Sequence, residues 1–509
     1  MGPTRRSEFP LRAQRADADA APAPRVSAAD ASGWRPPPVR RDELAHPTAG
    51  ARESRGRLAR KAVPRSRHGE WEPAADRLDP IELLQEQARE RVPELNPIRY
   101  GRMLVSPFAF FRGAAYVMAS DLAPEPRTGL DTQLCGDAHL SNFGTFAGPD
   151  RELVFGLNDF DETLPGPFEW DVKRLVASLE VAGRDRGFPA KRRASIDLAA
   201  ARAYREAMRH FAGLRTLDLW YIHIDRSVGE LVNEWAAGVR RGELKRFERD
   251  VAKARTKDNL QAFAKLTRIV DGTPQIISTP PLIVPIQELA GPEAGEALGQ
   301  AIREITHYYR RTLPHDRRQL LERYRYVDSA RKVVGVGSVG TRDWIVLLLG
   351  RDEHDPLFLQ MKEAQTSVLE PFLKKSAYAN HGQRVVEGQR LLQGASDILL
   401  GWIRSTSWID GENRDFYMRQ LWDGKGSAPV EAMDDEALRS YGELCGWALA
   451  RAHARGGDAI AIGAYLGSGE AFDRTTASFA ARYADQSERD YEALKRAADS
   501  GRIQVQTGL

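Results

Sequence analysis

The sequence predicts an α+β fold in two lobes, a helical lobe first and a small antiparallel β lobe second. Long stretches with apolar residues at helical spacing fill 79–326 and return over 431–509. Between them, 327–430 breaks into short apolar runs separated by glycines and charged turns. Residues 1–78 differ from both: rich in Arg, Ala and Pro, with Pro36, Pro37 and Pro38 in a row and no sustained apolar period, they read as a disordered tail.

Taken in order, Asp79 caps an amphipathic helix in DPIELLQEQARERVPEL, where the folded chain is expected to start. SPFAFFRGAAYVMASDL, over 106–122, is dense in aromatic and small residues, and its Arg112 could reach a phosphate or pair with a buried carboxylate. VFGL before Asn158 is a short strand. Helical patterns follow over 172–182, 191–212 and 228–266, then an extended PPLIVPI over 280–286 and a further helical stretch over 296–326. Five strand-like segments come next, KVVGVGSVG, DWIVLLLG, PLFLQMKEA, DILLGWI and DFYMRQLW, with a helical segment around Glu387 between the third and fourth. The helices of 431–509 complete the first lobe.

Composition narrows the function classes. A chain of 509 residues with 42% hydrophobic content can bury a sizeable core. No run reaches the roughly 18 apolar residues of a membrane span, and no apolar signal core opens the chain, so a soluble cytoplasmic enzyme without a membrane partner is expected. Two cysteines, Cys135 and Cys445, are too few for a disulfide framework or a cysteine metal site. The net charge of +3 divides into +6 over residues 1–78 and −3 over the rest. The tail's charge allows a weak contact with nucleic acid, but the folded part has no basic footprint of a nucleic-acid binder.

The chemistry concentrates in CGDAHLSNFG, VFGLNDFDET and GPFEWD, between Cys135 and Asp171. In kinase-type phosphotransferases an Asp beside the acceptor hydroxyl precedes a metal-binding Asn by five residues, and a second metal-binding Asp lies a strand further on. Asp137, Asn142 and Asp159 follow that order. Mg²⁺ takes hard oxygen ligands, which Asn142 and Asp159 supply, and Asp161 can share the ion. Asp137 is the carboxylate left to orient the acceptor. Asp171 reads as a brace for the catalytic loop, Lys173 and Arg174 as the solvated face of the next helix, and Cys135 as a small buried residue. His139 and His453 lack metal-ligand spacing and read as hydrogen-bonding residues.

A second half of the site lies far downstream. Gly335, Gly337 and Gly340 form a GxGxxG in VVGVGSVGTRDWIVLL, together with Ser338, and a strand rather than a helix follows, so the loop is a hairpin whose backbone can approach phosphates. Lys362, on a following strand, is placed for the α- and β-phosphates, with Glu387 as its expected carboxylate partner and Glu370 as the competitor. Residues 416–423 are expected to receive the adenine, and the helix of 445–457 resembles the one that precedes a kinase catalytic loop. The two blocks stand in reverse of the usual kinase order. A circular permutation keeps the site intact when the joined ends lie close together.

The chain resembles a family of uncharacterised bacterial domains that share GDAHxxNFG, NDFDE, GPFEWD and the MKEA and GQR segments, over about residues 80–495. That family is assigned to the protein-kinase-like group, near the aminoglycoside phosphotransferases. The resemblance implies a circularly permuted protein-kinase-like fold and the use of ATP and Mg²⁺, without naming an acceptor. Two departures from the protein-kinase pattern, Cys135 and Gly136 directly before Asp137 and DFD in place of DFG, favour a small-molecule acceptor over a protein. The expected activity is therefore transfer of the γ-phosphoryl group of ATP to a hydroxyl. A nucleotide-binding regulatory protein without transfer, and nucleotidyl transfer to protein, are the alternatives.

Overall fold

The computed structural model describes residues 46–222, 259–406, 411–421 and 426–508. The earlier lobe carries two small sheets that position the acidic motifs. β1 (Asp131–Leu134) pairs antiparallel with β4 (Leu164–Pro167), and β2 (Phe143–Ala147) with β3 (Leu153–Leu157). The apolar runs FGTFA and LVFGL of β2 and β3 are wholly buried, which anchors the loops on either side of them.

The later lobe is a six-stranded antiparallel sheet. β5 (Thr267–Val270) and β6 (Thr273–Ile276) form a separate hairpin, and the sheet then takes β7 (Ile283–Pro285), β8 (Arg325–Lys332), β9 (Asp343–Leu349), β10 (Pro356–Glu363), β11 (Gly401–Ser405) and β12 (Arg414–Gln420). Its order is β11-β12-β10-β9-β8-β7, and β13 (Gly426–Ser427) crosses back to pair with β2. All seven residues of β9 are buried because both faces are covered. Trp344, Val346 and Leu348 pack with Leu298, Ile302 and Ile305 of helix Ile286–Tyr309, while Ile345 and Leu347 pack with Ala262 and Leu266 of helix Asn259–Leu266. This is strand period two read against helices on each side. The lobe thus recruits residues from 259 onward, well before the boundary at 327 expected from composition, because those helices bury their apolar faces on the sheet.

Helix Phe168–Asp185 is the axis of the helical lobe and is buried along nearly its whole length by helices Ala190–Ala212, Asp435–Gly456 and Ala471–Asp499. Lys173 and Arg174 therefore face no solvent, contrary to the sequence expectation. The Lys173 ammonium lies 4.5 Å above the Phe479 ring, and burial, opposed by Glu125 and Glu169, brings its pKa down to about 8.

The expected disordered tail is also corrected in part. From Ala49–Ala62 the chain is helical, and Gly56 sits directly on Ala461 of helix Ala459–Leu466. Arg60 donates to the carbonyls of Ala464 and Tyr465, Arg65 to that of Leu466, and Arg52 pairs with Asp458 at 2.8 Å. His68 bonds Tyr465, and Trp71 enters the main core. A segment docked by arginines and one glycine leaves no apolar stripe to find. Residues 1–45 of that expected tail, and 228–258 of the long helical pattern, lie outside the described residues. Among the described residues, no helix is long and apolar enough to cross a membrane.

Candidate functional site

Asp171, in the first turn of helix Phe168–Asp185, braces the loop that carries Asp137: its carboxylate accepts from the amides of Cys135 at 2.8 Å and Gly136 at 3.1 Å, and contacts His453 Nε2 at 3.1 Å. His453 is satisfied on its other nitrogen by the Tyr204 hydroxyl at 2.9 Å, a hydrogen-bonding role and not a metal-binding one. Gly136 turns the chain at φ +86°, and a Cβ there would stand 2.4 Å from the Glu162 carbonyl oxygen, so the position needs glycine. Burial pushes the thiols of Cys135 and Cys445 far above their ordinary pKa, which leaves both inert.

The turn delivers Asp137 to Arg174. Arg174 Nε and Nη2 lie 2.9 and 2.8 Å from Asp137 Oδ1, and Nη2 also donates to the Phe111 carbonyl at 2.7 Å. Burial raises the Asp137 pKa and Arg174 works against that rise. His139 Nε2 lies 3.6 Å from Asp137 Oδ2, and burial with the positive charges of Arg174 and Arg112 lowers its pKa well below the ordinary value, so the ring is neutral. Asn142 Nδ2 donates to the Asp137 carbonyl at 2.7 Å, which couples the two motif residues directly.

Asp159 and Asp161 follow the end of β3 and meet the later lobe. Lys362, on β10 opposite Tyr417 of β12, is 2% exposed, forms an ion pair with Asp161, and lies 3.2 Å from Ser338 Oγ and 3.9 Å from Asp159. Burial disfavours its ammonium, yet Asp159 and Asp161 outweigh that and hold its pKa above the ordinary value. Tyr417 donates to Asp161 at 2.8 Å. Residues some two hundred positions apart in sequence thus converge.

The glycine loop is the hairpin connection between β8 and β9, with Gly335 at φ +68° and Gly340 at φ +92°. Arginines from the N-terminal segment hold it: Arg91, between helices, donates to the carbonyls of Gly337 at 2.7 Å and Val339, and Arg102 of helix Asn96–Met103 to Gly335 at 2.6 Å. The expected partner of Lys362 is corrected. Helix His381–Gln393 packs Gly388 against Thr163 and sends Arg384 to the Thr163 carbonyl, which turns Glu387 aside to pair with Arg390 at 3.2 Å. Glu370 lies 3.9 Å from His381 and does not reach Lys362 either.

Two cavities meet at Asp159, Gly335 and Ser338. One, of about 250 Å³, runs past Lys362 and Arg419 to Gln420 and Leu421 at the end of β12. Positions 422 and 423 of the expected adenine strand lie outside the described residues. Asn158 Nδ2 and Gln389 Oε1, a donor and an acceptor of residues lining this cavity, are buried without partners among the described residues. The other cavity, of about 260 Å³, holds Asp137, His139, Arg112 and Glu162. Sequence reasoning missed Arg174, Arg419 and Glu162. Arg419 shares a strand face with Tyr417, and Glu162 closes the NDFDE motif, where burial takes its pKa up to about 7.

Among the described residues no trio of His, Cys, Asp or Glu converges as a self-sufficient metal site. Asn142, Asp159 and Asp161 are a hard-oxygen set with partly open carboxylates, 28% and 24% exposed for the two aspartates, which suits an ion that completes its shell with water and phosphate oxygens.

A family profile described as "Uncharacterized protein conserved in bacteria (DUF2252)" matches residues 91–497. The chain belongs to that family. The DUF2252 span takes in both acidic motifs, the glycine loop and Lys362, and leaves helix Ala49–Ala62 outside it. No curated protein and no solved structure matches the chain.

Proposed function

We propose that this protein is an ATP- and Mg²⁺-dependent phosphotransferase with a circularly permuted kinase-like fold and a small hydroxyl-bearing acceptor. The observation that carries the reading is the meeting of Lys362 with Asp159, Asp161 and Ser338 where the two cavities join. The sheet lobe adds support: Lys362 stands on the third strand of the β8-β9-β10 meander, a helix follows, and β12 inserts beside β10. One local contact supports the permuted order. Helix Asp435–Gly456 ends with Gly456 and Gly457 against Gln133 and Thr132 of β1, so a helix near the end of the chain abuts the strand that leads into the catalytic loop.

In this reading ATP occupies the 250 Å³ cavity, with the glycine loop and Lys362 at its phosphates and the end of β12 at its base. Asp159, Asn142 and Asp161 hold Mg²⁺, which neutralises phosphate charge when bound. The acceptor occupies the other cavity, and its hydroxyl hydrogen-bonds Asp137, which Arg174 holds in place. The acceptor oxygen bonds to the γ-phosphorus, the bond to the β,γ-bridging oxygen breaks, ADP leaves with that electron pair, and the hydroxyl proton passes to Asp137 or to water.

Calorimetry with Mg·ATP, together with ADP release measured over a panel of hydroxyl compounds, tests this. Lys362→Met and Asp159→Asn are expected to abolish Mg²⁺-dependent nucleotide binding, and Asp137→Asn to stop turnover while sparing it. Failure of the wild-type protein to bind nucleotide in a Mg²⁺-dependent way would refute the proposal. Mass spectrometry of the products separates phosphoryl from nucleotidyl transfer.

A further inference from the structure

Arg112 stands in the last turn of helix Pro107–Gly113 and lines the cavity that contains Asp137 and His139, not the one that contains Lys362. It makes no hydrogen bond or ion pair among the described residues, and its Nε is buried without a partner. The neighbouring arginines are committed: Arg91 to glycine-loop carbonyls, Arg99 to Gln87 and the Gly113 carbonyl, Arg174 to Asp137 and the Phe111 carbonyl. Two carboxylates act on Arg112 from a distance, Glu431 and Asp137, but neither comes within ion-pair reach and Asp137 is already held by Arg174. Desolvation weakens the cation, yet a guanidinium stays charged in a protein. A largely buried guanidinium with no carboxylate of the described residues in ion-pair reach is costly to hold, and an anionic ligand offsets that cost.

The position of the cavity says which anion. Lys362 and Arg419 serve the nucleotide side, and the two cavities join at Gly335, Ser338 and Asp159. Arg112 lines the acceptor-side cavity together with Gly335, Gly337 and Ser338 of the glycine loop, and its carbonyl oxygen lies 3.3 Å from where a Cβ on Gly337 would stand. We propose that Arg112 binds the equatorial oxygens of the γ-phosphoryl group during transfer, on the acceptor side of the glycine loop. The assignment rests on the phosphotransferase reading above. Its chemistry is charge-assisted hydrogen bonding from a planar fork, stronger once phosphorus has left the nucleotide than before.

The test uses the full-length protein, Mg·ADP, and aluminium fluoride as a mimic of the group in flight. In calorimetry the wild-type protein is expected to bind Mg·ADP more tightly when aluminium fluoride is present. Arg112→Met is expected to lose about tenfold or more of that tightening with Mg·ADP affinity unchanged, and Arg112→Lys to keep part of it. Thermal melting of the ligand-free variants checks that they fold, and the lysine variant carries the test if the methionine variant does not. The inference is overturned if fluoride tightening is absent from the wild type or undiminished in the variants, or if Mg·ADP affinity falls by the same factor. It is also overturned if inorganic phosphate binds the nucleotide-free protein through Arg112 while the fluoride effect is untouched, because the anion then belongs to the acceptor. A wild-type protein that binds no Mg·ADP removes the phosphotransferase reading itself, a result distinct from all of these.

Discussion

Arg174 holds Asp137 in its buried site, donating from Nε at 2.9 Å with Nη2 2.8 Å from the same carboxylate oxygen, and the pair has to be treated as a unit. Removing one member of a buried pair strands the other, at a cost of about 3–5 kcal/mol. Arg174→Met is therefore expected to lower unfolding free energy in urea by about 3 kcal/mol, whereas Arg174→Lys, which restores the charge, recovers part of it. Asp343 presents the opposite case. Gln360 donates to its Oδ2 at 2.7 Å, its Oδ1 is buried without a partner, and burial raises its pKa to about 6, against the pull of Lys362 and Lys332. Between its unfolded value of 3.8 and about 6 the folded state binds the proton the unfolded state has released, so stability is lost as pH rises through that window. That rise in pKa corresponds to about 3 kcal/mol. Asp343→Asn, neutral at every pH, is expected to be more stable than the parent at pH 8 and nearly equal to it at pH 3, which melting curves at both pH values would show. A difference independent of pH would contradict this account.

At the scale of elements, the glycines mark the Asp137 loop and the hairpin loop in sequence, and the structure shows why each must be there. Gly136→Ala brings a Cβ within 2.4 Å of the Glu162 carbonyl at a positive φ, so the loop must move or the fold must strain, at about 2–4 kcal/mol. The expected signature is loss of protection from hydrogen exchange at Cys135 and Asp137, with the sheet lobe unaffected; unchanged protection would show that the turn is not strained. DWIVLLLG, PLFLQMKEA and DFYMRQLW of the later lobe were legible because charged turns punctuate apolar runs of strand length, whereas KVVGVGSVG is corrected to the loop that follows β8, which ends at Lys332, and β11 begins only at Gly401, inside DILLGWI. The clamp on the hairpin was not legible, because Arg91 and Gly337 are 246 positions apart and an arginine bound to a carbonyl has no periodicity. Glu387 shows the converse failure. Its place in the helix suited a partner for Lys362, but a Gly388 that packs on Thr163 sets the rotation of that helix, and one glycine's contact cannot be read from spacing.

Across the whole molecule, the acidic motifs and Lys362 belong to one site only through contacts that cross the lobes, and the sequence held these as two separate patterns in reversed order. Each pattern stood out in the sequence by its residue types and spacing, but their meeting did not. The lobe boundary was not legible either, since the helices of 259–321 have apolar faces equally suited to either lobe until the sheet is seen to lack cover. The same reasoning explains the N-terminal helix. Ala49–Ala62 docks through Gly56, whose added Cβ would lie 2.1 Å from the Ala461 carbonyl oxygen, and through arginines that bind the last carbonyls of helix Ala459–Leu466. Those carbonyls have no partner within their own helix, and the arginines also meet the negative end of its dipole. Neither helix lines the two cavities. Gly56→Val is therefore expected to separate the helices and destabilise the fold by about 2 kcal/mol, to open the peptide bonds after Arg52, Arg55 and Arg57 to trypsin, and to leave Mg·nucleotide affinity unchanged. Limited proteolysis beside calorimetry distinguishes the outcomes: cleavage with intact binding places the helix as a stabilising cover, whereas resistance equal to the parent would mean that the close approach at Gly56 does not hold it.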